Sequence, residues 1–276
     1  MKTFFQLMNF LNASLRLLWL GLHFIFGLSL LFVYRFRWGK QWFYTEHGAQ
    51  ATQQWMRQGC RILNLKVQVN GWASSSSAML VANHISWLDI VVIAAATPVT
   101  FVSKLDLKGW PIIGVLAKFS GTLFIKRGSL FSMHETLTNI VDVLNLGRKM
   151  IFFPEGTTTI GLDVKKFHSG LFETASIANC SVQPVAISYF RDGEPDRKVA
   201  PYVDDDHFLM HLWQLLFHGR LYLQIDFLDE IYPEKYDRRE LAKACRTRIT
   251  EVLEASAMID ADYPVEVQDS GYVFIS

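Results

Sequence analysis

A nearly unbroken apolar run from Leu15 to Tyr34 constrains this chain more than any other feature. About 20 such residues in a helix reach across the hydrocarbon core of a bilayer. A helix that is apolar on every side is either enclosed in a large core or held in lipid. Arg16 and His23 interrupt the run, and Arg16 lies at its end, where its stem can snorkel. Arg35, Arg37 and Lys40 follow, with Trp38, Trp42, Phe43 and Tyr44 among and after them. Basic and aromatic residues at the end of an apolar run mark a membrane interface, and the cationic flank favours the cytoplasmic side. We therefore expect a membrane-associated chain whose remaining domain faces the cytoplasm, at the inner membrane if the source is bacterial. The run is long for a cleavable leader, and no small-residue cleavage site follows it.

Residues 41–65 read as a second helix, in which Trp42, Phe43, Ala49, Trp55, Met56, Ile62 and Leu63 alternate with Gln, Thr, Arg and His. That mixture suits a helix lying in the interface or packed on the first. An ordinary amphipathic core helix fits the same residues. The sequence also leaves open a single span or a hairpin dipping into one leaflet. The expected organisation is a membrane-associated two-helix segment over 1–65 and an α/β domain over 66–276.

Past Lys66 the pattern changes. Lys66 to Gly71 alternates like a strand ending in a turn, and Ser74 to Ser77 is a surface loop. Short apolar or alternating segments recur at Ala78–Ala82, Val99–Val102, Thr122–Lys126, Met150–Phe153, Val182–Tyr189 and Leu221–Leu228. Helical patterns lie between several of them, clearest at Leu130–Leu146, Phe167–Asn179 and Arg238–Ala257, while Asp192–Asp206 reads as a loop. This alternation predicts a mixed, largely buried sheet flanked by helices. Composition agrees with contact to lipid: half of the residues are hydrophobic and only 19% are charged, against about 25% in ordinary soluble proteins. A net charge of +1 supplies no electrostatic footprint for nucleic acid, so no such partner is expected. Cys60, Cys180 and Cys245 are too widely spaced to form a disulfide framework or a metal motif.

Three stretches carry chemistry. Asn83-His84-Ile85-Ser86-Trp87-Leu88-Asp89 follows a buried strand and precedes another apolar run. A histidine and a carboxylate at such a place can act as a base and its orienting partner. Five residues along a continuous helix turn through roughly 140°, so the two side chains meet only if His84 sits in a turn and Asp89 in the helix after it. Ser86 and Asp89 also fit a helix-capping signature, and the residues alone leave both readings open. Lys126 and Arg127 put two cations at a strand end, as an anion clamp or as solvated end charges. In Phe153-Pro154-Glu155-Gly156-Thr157-Thr158-Thr159 a strand gives way to a carboxylate, a glycine and three hydroxyls. That suits a polar headgroup, and equally a capped turn.

Together these stretches resemble the conserved blocks of the glycerolipid acyltransferase family, in particular the bacterial 1-acylglycerol-3-phosphate (lysophosphatidate) acyltransferases. The His-x4-Asp block is similar to His84 and Asp89, the second block to Phe124-Ile125-Lys126-Arg127, and the third to Phe153-Pro154-Glu155-Gly156-Thr157. The fourth, a proline inside a late strand, is similar to Val182-Gln183-Pro184-Val185-Ala186-Ile187. The resemblance implies transfer of a fatty acyl group from acyl-CoA or acyl carrier protein to the free hydroxyl of 1-acylglycerol-3-phosphate, giving phosphatidic acid. His84 and Asp89 would be catalytic. Lys126 and Arg127 would bind the phosphate, and Glu155, Gly156 and Thr157 would shape the headgroup site. No metal or resident cofactor is implied. The continuation Thr157-Thr158-Thr159-Ile160-Gly161 departs from the Ser/Asp-Gly common in relatives. Enzymes that acylate lyso-ornithine lipid carry similar blocks, so that acceptor is the alternative.

Overall fold

The computed structural model describes residues 2–39, 42, 45–105, 114, 117, 121–125, 130–203, 206–257 and 273–275. The apolar run becomes one helix, α1 (Lys2–Trp38), with Arg35 and Arg37 in its last turn. Its 37 residues extend about 55 Å at helical rise, more than a hydrocarbon core requires. Among the described residues it is the one helix long and apolar enough to cross a membrane. A narrow stripe of α1 is buried, at Ala13, Leu20, His23 and Gly27. Those spacings of seven, three and four keep one helical face inward. His23, the interruption in the run, stacks on Trp55 at 4.8 Å between ring centroids. The Trp55 indole N–H donates to the His23 carbonyl at 3.1 Å. Gly27 is required at this crossing, because a Cβ there would lie 2.7 Å from the Trp55 ring.

Helix α2 (Glu46–Ile62) starts at Thr45, whose hydroxyl accepts the Gly48 N–H at 3.1 Å. Two of its polar residues serve a neighbouring helix, α3 (Leu88–Ala96). Gln53 donates to the carbonyls of Ala95 and Ala96, and the Arg57 Nε–H donates to Ala95. These are carbonyls at the end of α3 that have no partner inside that helix. The expectation of a membrane-embedded helical pair is thereby narrowed. Helix α1 has the length and apolar surface for lipid, whereas Gln53 and Arg57 of α2 are turned to α3.

The sheet contains β1 (Leu65–Asn70), β2 (Ala78–Ala82), β3 (Thr100–Lys104), β4 (Leu123–Ile125), β5 (Met150–Phe152), β6 (Ser181–Arg191), β7 (Glu194–Pro195), β8 (Leu221–Phe227) and β9 (Val273–Ile275). Its order is β4-β3-β5-β2-β6-β8-β1-β9, with β7 paired on β6. Strands β4, β3, β5, β2 and β6 run parallel, β8 is antiparallel to β6, β1 parallels β8 and β9 is antiparallel to β1. This is the mixed sheet that the alternation implied. Strand β2 is buried throughout and feeds two cores by its period of two. Ala78, Leu80 and Ala82 join a core covered by α1, α2, α3 and α6 (Phe208–His218). Met79 and Val81 join the opposite core, covered by α4 (Leu130–Asn145), α5 (Glu173–Ile177) and α7 (Arg238–Ala257).

Some elements differ from the sequence reading. The expected helix over Phe167–Asn179 is only a 3-10 turn at Gly170–Phe172 followed by α5. The His168 N–H is taken by the Pro154 carbonyl at 2.9 Å, so a tertiary bond replaces a helical one. Helix α6 and strand β9 were not anticipated, and the Asp192–Asp206 loop holds the short β7. The three cysteines are free and buried.

Candidate active site

In parallel α/β sheets, ligands gather at the carboxyl ends of the strands. Here that end carries the residue runs following β2, β4 and β5. The chain leaves β2 at Ala82, and Asn83 immediately ties it to β6. Its side-chain amide donates to the Ile187 carbonyl at 3.0 Å and accepts the Ile187 N–H at 2.9 Å. The next residues form a turn, and α3 begins at Leu88. Asp89 therefore sits in the first helical turn and points back at His84, as their five-residue spacing demands.

His84 Nδ1 lies 2.7 Å from Asp89 Oδ2. The same oxygen accepts the backbone N–H of Ile85 at 2.8 Å and of Ser86 at 3.0 Å. Its other oxygen, Oδ1, accepts the Tyr189 hydroxyl at 2.5 Å. Asp89 is 0% exposed, and these four partners satisfy both oxygens, as burial of a carboxyl group requires. The catalytic and capping readings of Asp89 are thus not exclusive. Asp89 makes the backward half of the capping box to Ser86, while the Ser86 hydroxyl has no hydrogen-bond partner. The His84 side chain is 18% exposed, which leaves its far edge reachable. Its ring stacks on Phe153 with centroids 3.9 Å apart and planes 12° apart. Nε2 has no hydrogen-bond partner among the described residues. With Nδ1–H directed at a carboxylate, the Nε2 lone pair is free to take a proton.

The third block braces this turn from behind. Glu155 is buried, and its Oε1 accepts the His84 N–H at 2.8 Å while Oε2 accepts the Lys165 N–H at 2.9 Å. Burial pushes its carboxyl above the usual carboxylate range, and those two N–H groups together with His84 oppose the shift. The geometry makes Glu155 a support for the His84 backbone. Thr159 N–H donates to the His84 carbonyl at 2.8 Å, and Tyr202 N–H donates to the Ile85 carbonyl at 3.0 Å. Gly156 adopts φ 72°, a turn conformation that favours glycine. Thr157 is exposed beside it. Pro184 of the fourth block lies in β6 opposite Val81 of β2, and its carbonyl accepts the Leu228 N–H.

Lys126 and Arg127 lie outside the described residues. The strand that leads to them, β4, ends at Ile125 on the same edge as His84 and three strands away from β2. At the usual strand spacing that is roughly 14 Å. Sequence reasoning missed Tyr189 and Tyr202, and it counted Thr159 only among the hydroxyls of the third stretch. Tyr189 carried a signal: it follows Val185 and Ile187 at a spacing of two, so it faces the same core as α3. The other two are backbone donors, which no residue type reveals.

Residues 60–188 match the Acyltransferase family. The chain is 42% identical over 200 residues to the lyso-ornithine lipid O-acyltransferase of Pseudomonas aeruginosa, covering 72% of this chain and 76% of that one. It is 30% identical to the 1-acyl-sn-glycerol-3-phosphate acyltransferase of Neisseria gonorrhoeae, covering 69% of this chain and 73% of the relative. The fold is similar to the crystal structure of a 1-acyl-sn-glycerophosphate (LPA) acyltransferase from Thermotoga maritima, with a TM-score of 0.64 at 18% identity over 91% of this chain and 97% of the other. A polar turn that presents one imidazole edge above a mixed sheet, in a chain this similar to such relatives, places the protein in the glycerolipid acyltransferase family.

Proposed function

We propose that the protein transfers a fatty acyl group from a thioester to the hydroxyl of a lysolipid, with His84 as general base and Asp89 as its partner. The observation that carries this is the 2.7 Å contact between His84 Nδ1 and a fully buried Asp89 that is held by three other donors. His84 Nε2 takes the hydroxyl proton as the oxygen attacks the thioester carbonyl. The tetrahedral adduct collapses, the C–S bond breaks, and the imidazolium returns the proton to the departing thiolate. Asp89 stabilises the imidazolium between these steps. General-base assistance of this kind contributes about 10²–10⁴-fold. Acyl-CoA or acyl carrier protein serves as donor substrate, and the reaction calls for no resident cofactor or metal.

Our preferred acceptor is lyso-ornithine lipid, because identity to the Pseudomonas enzyme of that name exceeds identity to the Neisseria enzyme. The second reading, 1-acylglycerol-3-phosphate, is favoured by the Lys126-Arg127 block. An arginine fork suits the carboxylate of ornithine as well as a phosphate, so Arg127 has a use under either. Gly156 and Thr157 would border the headgroup. Residues 1–65 would hold the domain on the cytoplasmic face of the membrane, with α1 in the bilayer. The test is an assay of the full-length protein in mixed micelles, offering each lysolipid with acyl-CoA and with acyl carrier protein. A higher kcat/KM for lyso-ornithine lipid is expected. A higher value for 1-acylglycerol-3-phosphate would install the second reading, and turnover of neither would remove both.

A further inference from the structure

The buried end of the Asp89 carboxylate is closed by a residue outside every sequence block discussed above. Tyr189 is 3% exposed and lies on β6, the sheet neighbour of the strand that leads into the turn it serves. Its hydroxyl is 2.5 Å from Asp89 Oδ1, the oxygen that His84 does not use. The N–H groups of Ile85 and Ser86 both go to Oδ2, so Tyr189 is the one donor recorded on Oδ1 among the described residues. Two properties of the carboxylate matter to a general base of this kind. The carboxylate must not turn away from Nδ1, and its charge must not localise so strongly that it holds the imidazole protonated. A donor on the outer oxygen acts on both.

We infer that Tyr189 is a positioning residue for acyl transfer, fixing the rotation of the Asp89 carboxylate and tempering its charge, and so setting the basicity of His84. The side chain is built for donation. Burial, then the adjacent Asp89 charge, then the hydrogen bond itself hold its phenol well above the ordinary tyrosine range, so the proton stays on the oxygen. Its location is fixed by the sheet. Asn83 clamps Ile187 to the end of β2, and Tyr189 follows two residues later on the same face. The hydroxyl cannot be replaced by bulk water, because Asp89 is fully enclosed.

The inference rests on the general-base reading of His84, and the experiment separates the two. In the full-length protein, Tyr189→Phe keeps the ring and removes one oxygen. Near neutral pH its kcat is expected to fall about tenfold, since a hydrogen bond to a charged group is at stake. The KM values for lysolipid and thioester should change less than about twofold, because Tyr189 touches neither. Removing the donor concentrates charge on Asp89 and favours the imidazolium. The acid limb of kcat/KM should therefore move up by about 0.5–1 unit, and the deficit should narrow at alkaline pH. A second probe has the opposite sign. Introducing 3-fluorotyrosine at position 189 supplies a more acidic donor of nearly equal size, and should move the acid limb down. It remains informative even if Tyr189→Phe does not fold. An unmoved limb in a folded Tyr189→Phe protein, or a fluorotyrosine protein whose limb does not shift down, would overturn the inference. His84→Ala in the same assay guards the underlying reading. If it keeps its turnover, the general base is elsewhere, whatever Tyr189 does.

Discussion

The turn from Asn83 to Asp89 and the helix α1 solve the problem of burial in different ways. In the turn, the backbone N–H and carbonyl groups of His84 and Ile85 each receive a named partner. The His84 N–H goes to Glu155, its carbonyl to Thr159, the Ile85 N–H to Asp89 and its carbonyl to Tyr202. Those partners come from the segments after β5, from α3 and from the loop after β7, and Asn83 adds β6. The geometry is over-determined, which is what a base with a directional task requires. Helix α1 has its backbone satisfied internally and leaves large apolar side chains uncovered, among them Leu18 at 61% and Leu22 at 57% exposure. Water is the wrong solvent for such a surface. One region is finished by the fold itself, while the other keeps an uncovered apolar surface that lipid would suit.

The largest expected effect breaks the second half of that contrast. Leu18→Lys with Leu22→Lys puts two charges on the uncovered side of α1. At about 3 kcal/mol each near a helix centre, the pair weakens membrane partition by roughly 10⁴-fold. The protein should move from the pelleted to the soluble fraction, while its melting temperature in detergent changes little. Retention in the membrane pellet would mean that α1 is not the anchor. Residues 1–62 should not simply be deleted to make this test, because Cys60 belongs to the domain core and α2 closes the end of α3.

Asp89→Asn probes the first half. The N–H groups of Ile85 and Ser86 hold the amide oxygen at the Oδ2 position, and the Tyr189 oxygen can accept from the new NH2 group. The turn should survive with the tautomer intact and only the charge lost. Turnover is expected to drop about 100-fold or more, with a nearly unchanged melting curve. Normal turnover would leave Asp89 as a cap alone.

The smallest effect sharpens the picture at His84. Phe153→Leu removes a ring stacked at 3.9 Å while keeping much of the volume. Aromatic pairs contribute about 0.5–1.5 kcal/mol, so kcat should decline about two- to tenfold without a matching rise in KM. A rise in KM alone would place Phe153 against substrate instead of against the imidazole.

Much of this was legible in one dimension. The length and apolarity of the run from Leu15 define α1, because a bilayer imposes a length that a sequence must meet locally. The short β-patterned runs define strands, because side-chain parity is a local property. The five-residue interval between His84 and Asp89 requires a turn followed by a helix, by geometry alone. What tertiary structure decided was who stands behind these groups. Glu155 was expected to shape the headgroup site, and the structure adds that both its oxygens accept backbone N–H groups, a choice made by the neighbouring positions of β2 and β5. The mixed polarity of α2 left an interfacial helix and a core helix both open, and Gln53 and Arg57 turn to the open end of α3. Tyr189 meets Asp89 across 100 residues of chain because β2 and β6 lie side by side. Periodicity and spacing act between residues near in sequence, so the chain alone determines them. A hydrogen bond between strands depends on which strands become neighbours, and only the assembled sheet specifies that.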